Sequence, residues 1–149
     1  MIQEILKDYP LIIEIPIWWG ELDAFQHLNN TAYFRHFESA RIAYFEKIQY
    51  LEFMKATGLG PILASTQCKF KIPLSYPDRV SVGAKISKIE ADRFIMDYCT
   101  VSHRLQKIAA EGQGVIVSFN YHENQKAPLP EEIKKRILEL ESTVQQDDE

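Results

Sequence analysis

The chain has 149 residues, of which 46% are hydrophobic and 26% are charged, as in one ordinary globular domain. Its formal net charge of -4 argues against a broad nucleic-acid-binding surface. No apolar run approaches the ~20 residues that a membrane span requires, and the N-terminus lacks the apolar core of a secretory signal. We therefore expect one domain over residues 1–149 in the cytoplasm, without nucleic acid and without a membrane span.

The N-terminal part predicts a strand followed by a polar loop. Residues 11–19 are apolar, and Pro16 within them favours an edge strand or a bulge. Trp18 and Trp19 are adjacent, so they should point to opposite faces, one into the core and the other towards a pocket or an interface. Residues 20–29 have neither helical nor strand periodicity and are expected to form a loop.

One long helix is predicted over residues 30–48. Its apolar residues recur at spacings of three and four, at Tyr33, Phe37, Ala40, Tyr44 and Ile48. Asn29 or Asn30 can cap its N-terminus, because a short side-chain oxygen accepts from free N–H groups there. So wide and aromatic a face requires burial against more than one neighbour. Residues 58–61, GLGP, predict a turn that ends this region.

Four alternating segments predict strands over residues 62–72, 80–87, 94–101 and 108–121. Their short connections favour antiparallel hairpins. Gly112 and Gly114 in the last strand indicate a bend or a close approach of another group. Residues 129–141 predict a short C-terminal helix, and residues 143–149 a disordered tail. The expected fold class is α+β, with a curved antiparallel sheet wrapped around one long helix.

Two features bound the possible chemistry. Cys68 and Cys99 are the only cysteines, and both lie in apolar strand-like runs, which predicts buried thiols rather than a disulfide. Two cysteines and four scattered histidines do not form a zinc site, so we expect no metal.

The densest group of polar residues lies just before the long helix, and includes Asp23, His27, Asn29 and Asn30. A helix N-terminus carries unpaired N–H groups and a partial positive charge, so it can polarise a carbonyl and stabilise the oxyanion formed upon attack. Asp23 could attack that carbonyl or remove a proton from water. An acyl thioester suits such a site, because its thiolate leaves without help from a metal.

This segment resembles the signature of hotdog-fold thioesterases of the 4-hydroxybenzoyl-CoA thioesterase type. The matching positions are Asp23, His27, Asn29, Asn30, Tyr33, Glu38 and Arg41. The stretch PLSYPDRV also resembles a proline-bearing turn of that family, and the order of elements matches from about residue 11 to residue 121. The resemblance implies a hotdog fold, hydrolysis of acyl-CoA thioesters and no cofactor.

The resemblance also implies roles for individual residues. Asp23 would be the base or nucleophile, and the helix start at Asn30 would supply the oxyanion donor. His27 is a further candidate catalytic residue, and a structural hydrogen-bonding role is its alternative. Substrate contacts are expected from Asn29, Tyr33 and Glu38. Glu38 is also a reserve catalyst, although its spacing to Arg41 favours a salt bridge. The implied assembly is a homodimer or homotetramer with its active site at the subunit interface.

Three alternatives remain open from the sequence. Asp23 could be a plain loop or cap residue, and the protein a non-catalytic acyl-CoA-binding hotdog module. A hotdog dehydratase acting on β-hydroxyacyl thioesters would instead use His27 as its base. Gln26 also departs from the family, which usually has glycine before the histidine; if this position requires a positive φ, Gln26 costs about 1 kcal/mol or reshapes the loop.

Overall fold

The computed structural model describes residues 1–146 as one sheet with helices packed on it. Five long strands pair antiparallel in the order β1-β3-β4-β5-β2. They are β1 Leu11–Pro16, β2 Leu59–Phe70, β3 Arg79–Ile89, β4 Arg93–Ser102 and β5 Lys107–Asn120. Two short strands extend this sheet, β6 Gln125–Lys126 beside β5 and β7 Gln145–Gln146 beside β3. The helices are α1 Ile2–Ile5, α2 Asn30–Lys47, α3 Tyr50–Thr57 and α4 Glu131–Leu140.

The helix α2 forms the centre of the fold. The Oδ1 atom of its N-cap, Asn29, accepts from the N–H of Thr31 at 3.0 Å. The predicted inner face is buried against the sheet, with Tyr33, Phe37, Ala40 and Tyr44 all at most 2% exposed. The prediction of an antiparallel sheet around one long helix is confirmed, and β1 lies at an edge as Pro16 indicated.

Close packing explains the glycine at position 112. The Phe37 ring stacks on Tyr98 with centroids 4.6 Å apart. A Cβ at Gly112 would lie 2.4 Å from that Phe37 ring and 2.6 Å from the carbonyl oxygen of Gln67. The predicted close approach at Gly112 is therefore confirmed, and any larger side chain would push α2 away from the sheet.

The region after α2 differs from the prediction of a single helix followed by a turn. Gln49 adopts a left-handed conformation with φ 57°, which separates α2 from α3. Gly58, with φ 80°, ends α3 as its C-cap, and β2 begins at the next residue. The predicted turn over 58–61 is thus a helix cap followed directly by a strand, because one αL residue suffices to end a helix.

The strand β2 also departs from its predicted alternation. Leu63 pairs with Ile116 while Ser65 pairs with Val115, so Ala64 forms a bulge. An extra residue reverses the alternation of faces, and Leu63 rather than Ile62 accordingly shares a face with Ile116. From Ile62 to Phe70 the strand is exposed except for the half-buried Cys68.

The remaining predictions about the fold have mixed outcomes. The prediction of buried thiols is confirmed for Cys99, whereas Cys68 is only half-buried; both cysteines are free. The predicted disordered tail is wrong at Gln145–Gln146, which pair in parallel with Lys88 and Ile89; residues 147–149 lie outside the described part of the chain. Within residues 1–146, no helix has the length and apolar character to cross a membrane.

Candidate active site

Backbone contacts hold the loop that precedes α2. Leu22 and Leu28 form an isolated antiparallel bridge that closes its base. The N–H of Leu28 donates to the carbonyl oxygen of Leu74 at 2.7 Å, and that of Asn29 donates to Glu21 at 2.9 Å. These contacts fix residues 23–27 as a tight protrusion at the N-terminus of the central helix.

Asp23 lies at the start of this protrusion and is half-buried. Its Oδ1 atom accepts from the N–H groups of Phe25 at 2.8 Å and His27 at 3.3 Å. Its backbone N–H donates to the His27 carbonyl oxygen at 2.8 Å. Its Oδ2 atom has no hydrogen-bond partner among residues 1–146. One carboxylate oxygen therefore fixes the loop, and the other is available to a ligand or water.

Asp23 and His27 line the same pocket, whose volume is about 580 Å³. Its other lining residues are Trp19, Gly20, Leu22, Phe25, Gln26, Ser75 and Tyr76. This volume lies within the range typical of small-molecule sites. Sequence reasoning did not assign Ser75 and Tyr76 to the site, although the PLSYPD turn that carries them resembles the family.

Aromatic side chains form an exposed rim on one side of this pocket. The sequence predicted one core tryptophan, but Trp18 and Trp19 are 63% and 73% exposed. A short 3₁₀ turn over Trp19–Glu21 removes both from the strand, where alternation would have buried one of them. Phe25, which also lines the pocket, is 81% exposed. So much exposed apolar surface beside a pocket favours contact with a ligand or a partner.

The start of α2 adjoins the pocket in sequence. The Asn29 side chain is engaged as a cap, accepting from the N–H of Thr31 and, at 2.9 Å, from its hydroxyl. Asn30 is exposed, and its N–H has no acceptor within residues 1–146. The first turn carries no acidic residue. The positive end of this helix is therefore open to an anion or a polarised carbonyl.

Tyr33 lies on the buried side of α2 rather than on the pocket wall. Its ring packs edge-on against Phe70, with centroids 5.0 Å apart. Burial raises the pKa of Tyr33 to about 12, so its phenol stays protonated at neutral pH. Its contribution is to pack the helix start onto the sheet.

Glu38 is separated from the other predicted site residues. It lies about 12 Å along the helix axis from Asn30, at ~1.5 Å per residue, and its side chain is 68% exposed. Its nearest charged partner is Arg41, whose Nη2 atom is 3.9 Å from Glu38 Oε2. The fold thus brings Asp23 and His27 together within the chain but does not bring Glu38 to them.

Gln26, which stands where the family usually has glycine, adopts a positive φ. Its φ is 63°, in the left-handed region that favours glycine. Gln26 also lines the pocket beside Asp23.

The described residues 1–146 contain no cluster of histidine, cysteine and carboxylate side chains suited to holding a metal ion.

The pattern of the thioesterase-like superfamily matches residues 17–137, and the chain belongs to that superfamily. The matched span begins before the Asp23 loop and ends within α4.

Solved structures share this architecture. A thioesterase from Thermus thermophilus, complexed with coenzyme A and zinc, is 26% identical with a TM-score of 0.79, over 90% of this chain and 96% of that chain. A putative thioesterase from Pseudomonas aeruginosa is 25% identical with a TM-score of 0.76, over 87% of this chain and 98% of that one. Among curated proteins, the uncharacterized protein YsmA of Bacillus subtilis is 26% identical over 96 residues, which is 64% of each chain.

Proposed function

We propose that the protein hydrolyses acyl-CoA thioesters to the free acid and CoA. The observation that carries this proposal is the pair formed by the unpartnered Oδ2 atom of Asp23 and the open N-terminus of α2 just after it, within residues 1–146. Membership of the thioesterase-like superfamily supports the reaction class, and the Thermus thermophilus thioesterase was solved with coenzyme A. The resemblance of the segment around Asp23 to the signature of hotdog-fold acyl-CoA thioesterases supports CoA as the thiol carrier.

In the proposed reaction, the thioester carbonyl lies beside the N-terminus of α2. The N–H of Asn30 donates to the oxygen that becomes negative when the carbonyl is attacked, and the helix dipole adds to this stabilisation. Asn29 contributes as the cap that fixes the first turn, since its side chain already bonds to Thr31. Removing one such oxyanion donor typically costs about 10²–10³ in kcat.

Asp23 then acts through its free oxygen in one of two ways. As a general base it takes a proton from a water that attacks the carbonyl and gives the free acid directly. As a nucleophile it attacks the carbonyl itself and forms an acyl-aspartyl anhydride, which water then hydrolyses to the free acid and the aspartate. Its Oδ1 contacts with Phe25 and His27 hold the carboxylate in one orientation. The thiolate of CoA leaves as the tetrahedral intermediate collapses, and proton transfer then yields the thiol. His27 lines the same pocket, which supports a contact between its side chain and the thioester or the departing sulfur.

We further propose that a second copy of the chain completes the site. The strand β2 lies at an edge of the sheet and exposes Ile62, Leu63 and Phe70. Long apolar edges are normally paired or covered. The exposed aromatic rim around Asp23 also requires a cover to exclude water. A strictly monomeric protein at micromolar concentration in light scattering would contradict this assembly.

The variant Asp23→Asn tests the hydrolytic mechanism. Asparagine keeps an acceptor for the Phe25 and His27 N–H groups but loses the charge and the basicity. We expect kcat to fall about 10²–10⁴-fold, while the affinity for a non-hydrolysable acyl-CoA analogue and the melting temperature change little. Asp92→Asn is the matched control, because Asp92 carries the same charge in the turn between β3 and β4 and pairs only with its neighbour Arg93 among residues 1–146.

A non-catalytic acyl-CoA-binding module is the second candidate. The two hydrogen bonds of Asp23 Oδ1 would by themselves account for an aspartate in this loop. This candidate predicts saturable binding of several acyl-CoAs without release of free CoA, as measured with a thiol-reactive dye. Near-normal hydrolysis by Asp23→Asn would instead remove Asp23 from the mechanism and direct attention to His27 and Glu38.

A further inference from the structure

A second cavity, of about 510 Å³, lies away from the Asp23 pocket. It is formed between the C-terminal half of α2, the helix α3 and the strands β2 and β5. Its apolar wall consists of Ile42, Phe45, Leu51, Met54, Leu63 and Ile116. The two cavities share no lining residue, and Arg41 lies about 16 Å along the α2 axis from Asn30.

Arg41 places a positive charge in this apolar wall. The residue is only 8% exposed, and it lines the cavity. Its Nη1 atom donates to the Tyr98 hydroxyl at 3.1 Å. Its nearest carboxylate, Glu38, is 3.9 Å away and 68% exposed, so solvent weakens that ion pair. Apart from the bond to Tyr98, the guanidinium N–H groups have no acceptor within residues 1–146, and no Arg41 nitrogen is among the fully buried atoms that lack a partner, so these groups remain accessible to a molecule in the cavity.

The charged side chains that line the cavity have one sign. Lys55 at the rim is exposed, and it has no ion-pair or hydrogen-bond partner among the described residues. His122 contributes a further nitrogen donor. Within residues 1–146, no aspartate or glutamate lines the cavity. An apolar chamber with a buried cation and a cationic rim is complementary to a molecule with an apolar body and an anionic end.

We propose that this cavity binds a free aliphatic carboxylate, with its carboxylate on Arg41 and its alkyl chain along the apolar wall. A guanidinium matches a carboxylate with two parallel hydrogen bonds. Such a pair gives the unpaired N–H groups of Arg41 a charged acceptor, and the alkyl chain gains from leaving water. The proposal does not depend on hydrolysis at Asp23.

Two other sources of an alkyl chain make different demands on Arg41. The chain of an intact thioester is uncharged and would leave the guanidinium without a carboxylate. A long-chain alcohol has the same limitation. Comparing a carboxylate with an alcohol of equal length therefore separates recognition of the anion from simple apolar filling of the cavity.

The test uses the full-length protein and isothermal titration calorimetry with decanoate as the probe, below its micelle-forming concentration. We expect saturable binding of one decanoate per chain. We expect 1-decanol to bind at least ~10-fold more weakly, because it cannot form the charge-assisted pair with Arg41. Equal affinity for the two probes, or no saturable binding of decanoate, would overturn the proposal.

Three variants locate the site. Arg41→Met keeps most of the side-chain bulk and should weaken decanoate binding at least ~10-fold. Arg35→Met is its matched control, because Arg35 lies on the same helix and also has a carboxylate, Glu21, at 3.9 Å, yet its side chain is 63% exposed. Its affinity for decanoate should equal that of the wild type. Because Arg41 is buried, its replacement can also destabilise the fold. Ile42→Trp gives a second test of the site, since Ile42 lies in the cavity wall but is partly exposed, and a tryptophan there fills the cavity.

The outcomes distinguish the two cavities. Loss of decanoate binding in folded Ile42→Trp, with normal binding in Asp23→Asn, supports a carboxylate site at Arg41. Loss of decanoate binding in Asp23→Asn would place the carboxylate in the other pocket and overturn the proposal. Unchanged affinity in both folded Ile42→Trp and Arg41→Met would overturn it as well.

Discussion

The loop before α2 and the body of α2 are neighbours in sequence but are built in opposite ways. Residues 23–27 are half-buried or exposed, and backbone hydrogen bonds and the Asp23 carboxylate hold them. The body of the helix buries aromatic rings against three strands. The loop can therefore present reactive groups without supporting the core, whereas the body supports the core and offers no reactive group to solvent on its inner face. Chemistry and stability should separate along this boundary.

The largest effect on stability is expected from Phe37→Ala in the helix body. The Phe37 ring is fully buried between Tyr98 and Gly112, and such truncations cost about 3–5 kcal/mol in free energy of unfolding. Phe34→Ala is the matched control on the same helix, because Phe34 is only half-buried and should cost less. Chemical denaturation measures both free energies of unfolding. An unchanged midpoint for Phe37→Ala would contradict the claim that the helix body supports the core.

The stability of a loop variant tests the same separation between the loop and the helix body. Asp23→Asn in the loop should leave the free energy of unfolding within about 1 kcal/mol of the wild type, since asparagine retains the acceptor that closes the turn. A loss of several kcal/mol in Asp23→Asn would mean that the loop and the helix body fold as one stabilising unit, and that the separation is false.

A smaller effect is expected where the chain beyond α4 contacts the core. Glu141 Oε2 accepts from the buried Tyr44 hydroxyl and, at 2.8 Å, from the N–H of Ile86, just before a bulge in β3. Burial raises the pKa of Glu141 above its ordinary value, and the two donors offset part of that shift. The folded state therefore binds this proton more tightly than the unfolded state does.

The sign of the pH effect follows from this shift. The contribution of the protonated Glu141 carboxyl is fully present below the unfolded-state pKa and is lost as the pH rises through the folded-state pKa. Glu141→Gln keeps an acceptor and abolishes this loss, so it should gain stability relative to the wild type between about pH 4 and pH 7. Glu141→Leu should cost about 1–3 kcal/mol, because Tyr44 and Ile86 then lack an acceptor. Denaturation at both pH values measures this; a gap between wild type and Glu141→Gln that is independent of pH would contradict it.

Much of the fold could be predicted because its patterns are local. The period of Tyr33, Phe37, Ala40 and Tyr44 defined the central helix, and alternation defined the strands. The bulge at Ala64 could not be predicted from alternation, since it depends on which residues of β5 lie opposite. The helix α3 was missed because only the left-handed Gln49 separates it from α2. Glutamine does not signal such a break in sequence.

The candidate site likewise contains residues that could be grouped from the sequence and residues that could not. Asp23, His27 and Asn30 could be grouped because they lie within eight residues. Tyr76 joins the pocket from a loop about 50 residues further along, which only tertiary structure brings near. The second cavity draws its wall from two helices and two strands. Arg41 was visible as part of a helical ion pair, but its hydrogen bond to Tyr98 in β4 joins residues 57 positions apart, which no local pattern reveals.

The smallest expected effect is also the most specific to the loop. Gln26 and Gln49 are both left-handed, with φ 63° and 57°, and neither side chain has a hydrogen bond among the described residues. Changing either to glycine relieves about 1 kcal/mol of strain but increases the entropy of the unfolded chain at a cost of about 0.5–1 kcal/mol, so each variant should gain between about 0 and 0.5 kcal/mol. Only Gln26 lines the Asp23 pocket. We therefore expect Gln26→Gly to change KM or kcat for acyl-CoA hydrolysis and Gln49→Gly to change neither; equal kinetics for both variants would show that the backbone at position 26 does not shape the site.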